Sequence, residues 1–340
     1  RIMALTLVIL LAGTSRMAGY DRPGLVAETS PTPSSSACGR WFLETIESTP
    51  TVHVGQHVSV AIDRYSGATS ISHYDATNQN LRHARSVGSG GNCGEHNNWN
   101  CWLRDGGSVT NVGQYSSLAL EPRIQQSIYD WPKFAYYNAT LGALEYTARD
   151  WPGQWHYTTV DDYETGPIAI GQYASLALDS DRKPHIAYHL DSPLFLGSGS
   201  LKYATYVGGG GGNCGGDDHD WQCDTIDHGN QRVGEHASLW LSASGNPSIA
   251  YYSSGDLKFA TKGGSIPNCG PGGNTWTCWT VDSVGDVGQY ASFARDQSSG
   301  IPHIAYYDAT NEALKVAHLV LSGGNCGPYN SWQCDEIDDM

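Results

Sequence analysis

Apolar and polar positions alternate along most of this chain with a period of two, in short runs separated by Gly-, Asn- and Asp-rich breaks. A period of two sends successive side chains to opposite faces of a pleated strand, whereas an amphipathic helix repeats its apolar positions three and four apart. In GQYASLALD, starting at Gly171, Leu176 and Leu178 face one way and Ser175 and Ala177 the other. KPHIAYHLD sets Ile186 and Tyr188 on one face and carries Pro184 at its start, where no ladder donor is needed. LKYATY aligns Leu201 with Tyr203, and WQCDTID alternates polar residues as an outer strand does. After residue 20 no stretch sustains a helical period.

This unit of four runs is repeated. Copies begin at Gly55, Gly113, Gly171, Gly234 and Gly288, in steps of 58, 58, 63 and 54 residues, and close on Trp-led runs at Trp99, Trp155, Trp221, Trp276 and Trp332. A four-stranded unit of this size cannot bury its own faces and must stack on its neighbours. Five such units set radially predict an all-β, five-bladed β-propeller of four-stranded antiparallel blades. Gly-x-x-x-Ser opens every copy, from Gly55/Ser59 to Gly288/Ser292, which marks a packing or turn requirement of the blade.

One strand is surplus. WFLETIES (41–48) precedes the first copy, so five blades are offered six outer strands. Trp41, Leu43 and Ile46 at one end, and Trp332 and Ile337 at the other, are therefore candidate assembly residues. Three outcomes follow: the N-terminal run adds a fifth strand to the last blade, or it closes the ring while WQCDEID docks on a neighbour, or it reaches into another subunit. The last two join copies head to tail, with main-chain pairing supplying the contact.

Cysteine usage adds a constraint. Eight of nine cysteines form four local pairs in register with the repeat: Cys93/Cys101, Cys214/Cys223, Cys269/Cys278 and Cys326/Cys334. Each spans a Gly/Asn-rich loop and ends two residues after the repeat's Trp, which favours disulfides over zinc, since no loop supplies four ligands. Cys38 is left over, unpaired or available to another chain. Residues 1–20 hold an apolar run too short to span a bilayer and read as an export or anchor segment, cleaved or retained as an assembly arm. Residues 21–37 read as a Ser/Thr/Pro linker, with Thr32 and Ser34 as candidate O-glycosylation sites. The propeller takes 38–340. Asn138 heads an N-glycosylation sequon but stands where other copies carry the turn residues Asp75 and Asp308.

The pattern GQYASLALD…PHIAYYDATN…LKYA…W-x-C-x-T-I-D resembles the repeats of secreted bacterial β-propeller proteins, over about residues 41–338. The resemblance implies a fold and not an activity, because propellers host lectins, hydrolases, scaffolds and polymers. The sialidase Asp box and the WD40 and kelch signatures are absent from the sequence.

Charge and candidate chemistry narrow the function. With 19 basic residues scattered among 34 acids and a net charge of −15, nucleic acid is disfavoured, and so are anionic membrane surfaces. A glycosidase needs two or three carboxylates within about 5–10 Å of one another. Asp63, Glu121, Asp179 and Asp296 recur at a strand end, where Asp caps a turn. Glu235 replaces a Gln found at 56, 114, 172 and 289, and Trp240 replaces an Ala found at 61, 119, 177 and 294. His57, Tyr115, Tyr173, His236 and Tyr290 are placed to ring one mouth of the channel, where they stack sugars or simply pack the blade tops. Asp217, Asp218, His219 and Asp220 read as a solvated loop rather than a cation site. The expectation is a secreted, extracellular structural protein that is not an enzyme and has no cofactor or metal. It polymerises with copies of itself into a filament or tube by strand or N-terminal-arm exchange. A glycan-binding propeller is the alternative, and a glycoside hydrolase the second alternative.

Overall fold

The computed structural model describes residues 43–47, 53–122, 131–149, 153–162, 168–192, 198–229, 232–264, 266–296 and 298–338. The apolar segment, the linker with Thr32 and Ser34, Cys38 and Trp41 lie outside the described residues. From Glu44 onward the chain is one unit.

That unit is an all-β propeller of five sheets, each a simple antiparallel meander of four strands. Blade 1 holds β1 (Val54–Ile62), β2 (Thr69–Asp75), β3 (Asn80–Ser86) and β4 (Trp99–Asp105). Blade 2 holds β5 (Val112–Glu121), β6 (Trp131–Asn138), β7 (Ala143–Arg149) and β8 (Trp155–Asp161). Blade 3 holds β9 (Ala169–Leu178), β10 (Pro184–Ser192), β11 (Ser198–Tyr206) and β12 (Trp221–Gly229). Blade 4 holds β13 (Glu235–Leu241), β14 (Pro247–Ser253), β15 (Asp256–Lys262) and β16 (Trp276–Asp282). Blade 5 holds β17 (Val287–Arg295), β18 (Pro302–Asp308), β19 (Ala313–Leu319) and β20 (Trp332–Asp338).

The turns follow from their sequences. In the DATN turns the Asp carboxylate accepts the backbone N–H groups two and three residues on, at 3.1 and 3.0 Å for Asp75 and at 3.0 Å twice for Asp308. Asn138 does the same for Thr140 and Leu141, and its amide nitrogen bonds Glu145 in the buried interior. The turn role is thus the one its side chain fills. The second strands of blades 1, 3 and 4 are largely buried on both faces, as the whole of β14 is, whereas β18 in blade 5 alternates buried and more exposed positions.

The core consists of seams between blades. At each seam the opening Gly of one blade lies over the Leu of the third strand of the blade before it. Gly113 rests on Leu81, Gly171 on Leu144, Gly234 on Leu201 and Gly288 on Leu257, so close that a Cβ would fall 2.6–2.7 Å from the Leu Cα. All four leucines are 0% exposed. The Ser four residues after the Gly turns the other way and accepts a backbone N–H from the next blade: Ser59 from Leu118, Ser117 from Leu176, Ser175 from Leu239 and Ser238 from Phe293, at 2.9–3.0 Å. Gly-x-x-x-Ser is therefore a two-sided joint. On the outer side of three seams, an outer-strand Asp takes both a Tyr hydroxyl and a Lys from the following blade: Asp161 from Tyr188 and Lys202, Asp227 from Tyr251 and Lys258, Asp282 from Tyr306 and Lys315. Asp105 takes Tyr136 at the first seam.

Four seams of this kind exist among the described residues, not five. A Cβ at Gly55 would meet nothing within 4 Å, and Leu314, the blade-5 counterpart of Leu257, is 45% exposed. No described hydrogen bond joins Ser292 to Val60, and Val60 and Ile62 face solvent. Blade 5 and blade 1 do not close on each other.

This asymmetry is measurable. Leu257→Ala empties a filled seam and is expected to cost about 2–5 kcal/mol. The chemically identical Leu314→Ala should cost less than about 1 kcal/mol. Thermal or denaturant midpoints of the two variants check this, and equal losses would mean that the fifth seam is also packed.

Candidate functional site

Two features stand apart from the repeat: the aromatic ring at the axis and the unclosed seam. The ring arises from a bulge. In each first strand the register slips after the opening Gly, as between Gln114 and Ser117, and the third residue adopts a left-handed backbone. His57, Tyr115, Tyr173, His236 and Tyr290 have φ of 51°, 53°, 53°, 53° and 55°. Such a conformation costs a non-glycine residue about 1–2 kcal/mol, and here it is imposed five times on a bulky ring.

The result is a run of mutually tilted rings, 47–61° between neighbouring planes, set round the axis. Centroids are 4.3 Å apart for His57–Tyr115, 4.6 Å for Tyr115–Tyr173, 4.5 Å for Tyr173–His236 and 4.4 Å for His236–Tyr290. The five line a shallow cavity of about 200 Å³, with Tyr290 69% exposed at the unclosed end. Burial lowers the pKa of both His57 and His236, that of His236 to about 4, and raises those of Tyr115 and Tyr173. Burial thus disfavours charge on these four rings. Glu235 is buried, and Arg232 Nε donates to both of its oxygens at 2.8 Å.

The remaining candidate acids serve their own neighbourhoods. Asp63 caps Tyr65 and Ser66 and pairs with Arg85 at 3.0 Å. Glu121 pairs with Lys133 at 2.7 Å. Asp179 accepts Lys183 N–H, and Asp296 caps Ser298 and Ser299. Trp240 fills the space between blades 4 and 5, with Arg295 over its ring at 5.0 Å. Asp220 accepts Gly210 N–H within its own loop, and His219 Nδ1 lies 3.1 Å from the Asp217 carbonyl. Among the described residues no group of three His, Cys, Asp or Glu is placed to hold a metal ion.

The unclosed seam shows where the surplus run goes. Leu43–Glu47 forms no strand, which corrects the expectation of one over 41–48. From Glu44 it lies against blade 1 and not as a fifth strand on blade 5. Ile46 packs among Ile71, Ala84 and Trp99, as Ile226 packs with Trp276 at the seam between blades 3 and 4. Gly94 N–H bonds the Ile46 carbonyl at 3.0 Å, as Gly270 N–H bonds Ile226 at 2.8 Å. Trp99 Nε1 donates to Glu44 at 3.1 Å. Glu47 takes the place of the outer-strand Asp and is bonded by His73 and Arg82, which stand where other blades have Tyr and Lys. Glu44–Glu47 therefore reproduces the end of a preceding blade.

The matching end of β20 is consequently unused. Ile337 is 59% exposed and Asp338 faces solvent, while Val160, Ile226 and Val281, their counterparts, are buried. The signal for this pairing was the sequence WFLETIE beside WQCDEID. The partners His73 and Arg82 were missed, because nothing in a linear reading places them beside residue 47.

The cysteines bond as Cys93–Cys101, Cys214–Cys223, Cys269–Cys278 and Cys326–Cys334, with Cα atoms 5.9–6.0 Å apart. In each loop the Asn before the first cysteine clamps the second, which stands in the outer strand. Cys101 N–H donates to Asn92, Cys223 to Asn213, Cys278 to Asn268 and Cys334 to Asn325, each at 2.7 Å. The sequence reading missed this clamp, although Asn-Cys recurs in all four loops. These bridges staple the scaffold rather than form a site. Each closes the loop that carries the outer-strand Trp, which in blades 3 to 5 rests against the preceding blade: Trp221 lies 5.2 Å from Tyr146, Trp276 5.2 Å from Tyr203 and Trp332 5.5 Å from Phe259.

No protein-family model matches the sequence, and no curated protein matches it. Among solved structures, the chain is similar to an alpha-L-arabinofuranosidase from Lactobacillus brevis, with 9% identity and a TM-score of 0.41, over 83% of this chain and 90% of that one.

The carboxyl of Glu47 gives a pH test. Burial disfavours its charge, but hydrogen bonds from His73 and Arg82 outweigh burial and hold its pKa at about 2. A carboxyl depressed on folding stabilises fully above its unfolded pKa, and that stability is lost as pH falls towards the folded value. Glu47→Gln should therefore lower stability by on the order of 1–3 kcal/mol at pH 7. The gap to wild type should narrow below about pH 4.5 and vanish near pH 2. Unfolding midpoints across that range check it, and a pH-independent gap would break the assignment.

Proposed function

We propose that this protein is a structural subunit of an extracellular polymer, a filament or tube in which propellers join head to tail by exchanging the outer-strand end. One observation carries the reading: the Ile337–Asp338 end of β20 has no blade to cover among the described residues, while Ile46–Glu47 occupies a place on blade 1 of the kind that receives such an end. The two open faces differ and complement each other. One presents Leu314, Ile337 and Asp338, and the other presents Gly55, Val60 and Ile62 beside His73 and Arg82. Contacts between unlike faces are heterologous, so they form rings when the rotation closes and fibres when it does not. Blade faces elsewhere in the chain are buried, and seating one face on the other removes exposed apolar surface at about 25 cal/mol per Å². The end of β20 enters the neighbour by displacing that neighbour's Ile46 and Glu47, in the register that four internal seams already use.

Four disulfides fit an extracellular chain. Among the described residues no helix is long and apolar enough to cross a membrane. A second reading, a carbohydrate-binding propeller, is favoured by the five aromatic rings that line the mouth at the axis.

Electron microscopy of the protein as secreted tests the first reading. Regular filaments or tubes are expected. Ile337→Asp and Leu314→Asp should each disperse them without lowering the melting temperature, since both side chains are exposed in the isolated propeller. Dispersed single propellers from the unmodified protein, or polymers indifferent to both substitutions, would overturn it.

A further inference from the structure

On the outer side of the seam between blades 1 and 2 lies a groove of about 420 Å³, within the size range of small-molecule sites. Its walls include three half-buried tryptophans, Trp102 from β4, Trp131 from β6 and Trp155 from β8, and three arginines, Arg85, Arg104 and Arg149. No carboxylate is among its described lining residues, in a chain whose acids outnumber its bases by 34 to 19. Asp63, outside the lining, holds Arg85 at 3.0 Å. Arg104 and Arg149 make no described ion pair. Arg104 is sandwiched between Trp102 and Trp155, with its guanidinium carbon 4.9 and 4.6 Å from the two rings. Arg149 is exposed at the rim, where its Nε donates to the Gly153 carbonyl at 3.1 Å.

Two buried polar groups in the lining have no partner. The Ser70 hydroxyl and His83 Nε2 are both unmatched, and the two residues are 1% and 3% exposed. The state of His83 follows from its other nitrogen. Arg104 Nε, which can only donate, lies 3.4 Å from His83 Nδ1, so Nδ1 is the acceptor. Burial, reinforced by the charges of Arg104 and Arg85, pushes the His83 pKa well below its ordinary value, so the ring is neutral. A neutral ring with an accepting Nδ1 carries its proton on Nε2. His83 thus holds a buried N–H donor with no acceptor, an arrangement that costs about 1–3 kcal/mol unless something completes it.

We propose that this groove binds an acidic sugar, a hexuronate unit of a polysaccharide. Trp102 is covered by Arg104 and His83, so the half-buried indoles of Trp131 and Trp155 supply the apolar surface for the C–H face of a pyranose ring. Guanidinium groups match a carboxylate in planar, two-bond geometry, which a neutral sugar does not offer. The equivalent groove between blades 2 and 3 differs in the required sense. It is lined by Glu121, Asp181, Asp218 and Asp220 alongside its cations, which disfavours an acidic ligand there. The site does not depend on the open seam, and it stands whether or not the propellers polymerise.

Titration calorimetry with short oligogalacturonates, neutral galactose oligomers of equal length, and acetate tests the proposal. Saturable binding of the oligogalacturonate is expected, at least tenfold tighter than either control. Arg104→Gln and Arg149→Gln should each weaken it tenfold or more. Because Arg149 is exposed, its variant should keep the wild-type melting temperature, so the test survives if Arg104→Gln misfolds. Neutral oligomers binding as tightly as acidic ones would overturn the proposal, as would acetate matching them. An Arg149→Gln variant with unchanged affinity, or no binding of the acidic oligomer, would do the same.

Discussion

Everything in this propeller rests on one close approach, the opening glycine of a blade set against the third-strand leucine of the blade before it. The contact brings backbone against backbone, leaves no room for a Cβ, and buries each leucine completely. Because the glycine stands at positive φ, the same residue that permits the approach also starts the bulge. The bulge sends the next-but-one side chain to the axis and turns the serine back towards the following blade. Packing, ring formation and hydrogen bonding across the seam are therefore consequences of one local geometry.

A blade made this way is only half a core. Both of its faces need a neighbour, and a linear array of five leaves one face open at each end. Closed propellers remove the problem by joining the ends. Here Glu44–Glu47 covers the outer part of the first face with a copy of a blade's own edge, while the last face is left bare. The substitution of Glu47, His73 and Arg82 for the Asp, Tyr and Lys of inner seams keeps a carboxylate–cation pair at the first joint. A charge-assisted joint between a short segment and a blade is tight in place and exchangeable in kind, since another carboxylate-bearing strand end offers the same chemistry.

The acidic composition of the chain is unevenly spread over the seams. The groove between blades 2 and 3 carries carboxylates with its cations, whereas the groove between blades 1 and 2 carries guanidinium groups and indole rings without a lining carboxylate. Repetition supplies the scaffold five times, and departures from repetition at positions such as Arg104, where other blades have Val or Ile, supply chemistry at one place. His83, Arg104 and Trp155 come from three strands of two blades, so no linear motif announces them.

The five blades, their four strands, the turn role of the Asp residues and the joint role of Gly-x-x-x-Ser were readable from the sequence, because each depends on contacts within a strand or on a spacing repeated in register. The number of blades was legible for the same reason, as was the likeness of WFLETIE to the end of an outer strand. What the tertiary structure alone decided is which surfaces are used. Leu314 and Leu257 sit in nearly identical strands, ALKVAHL and DLKFATK, yet one is exposed and the other sealed. Burial at a seam is set by the neighbouring blade, which local sequence does not encode. The destination of Glu47 and the unmatched proton of His83 are likewise decided by residues distant in sequence, through the close packing of one blade on the next.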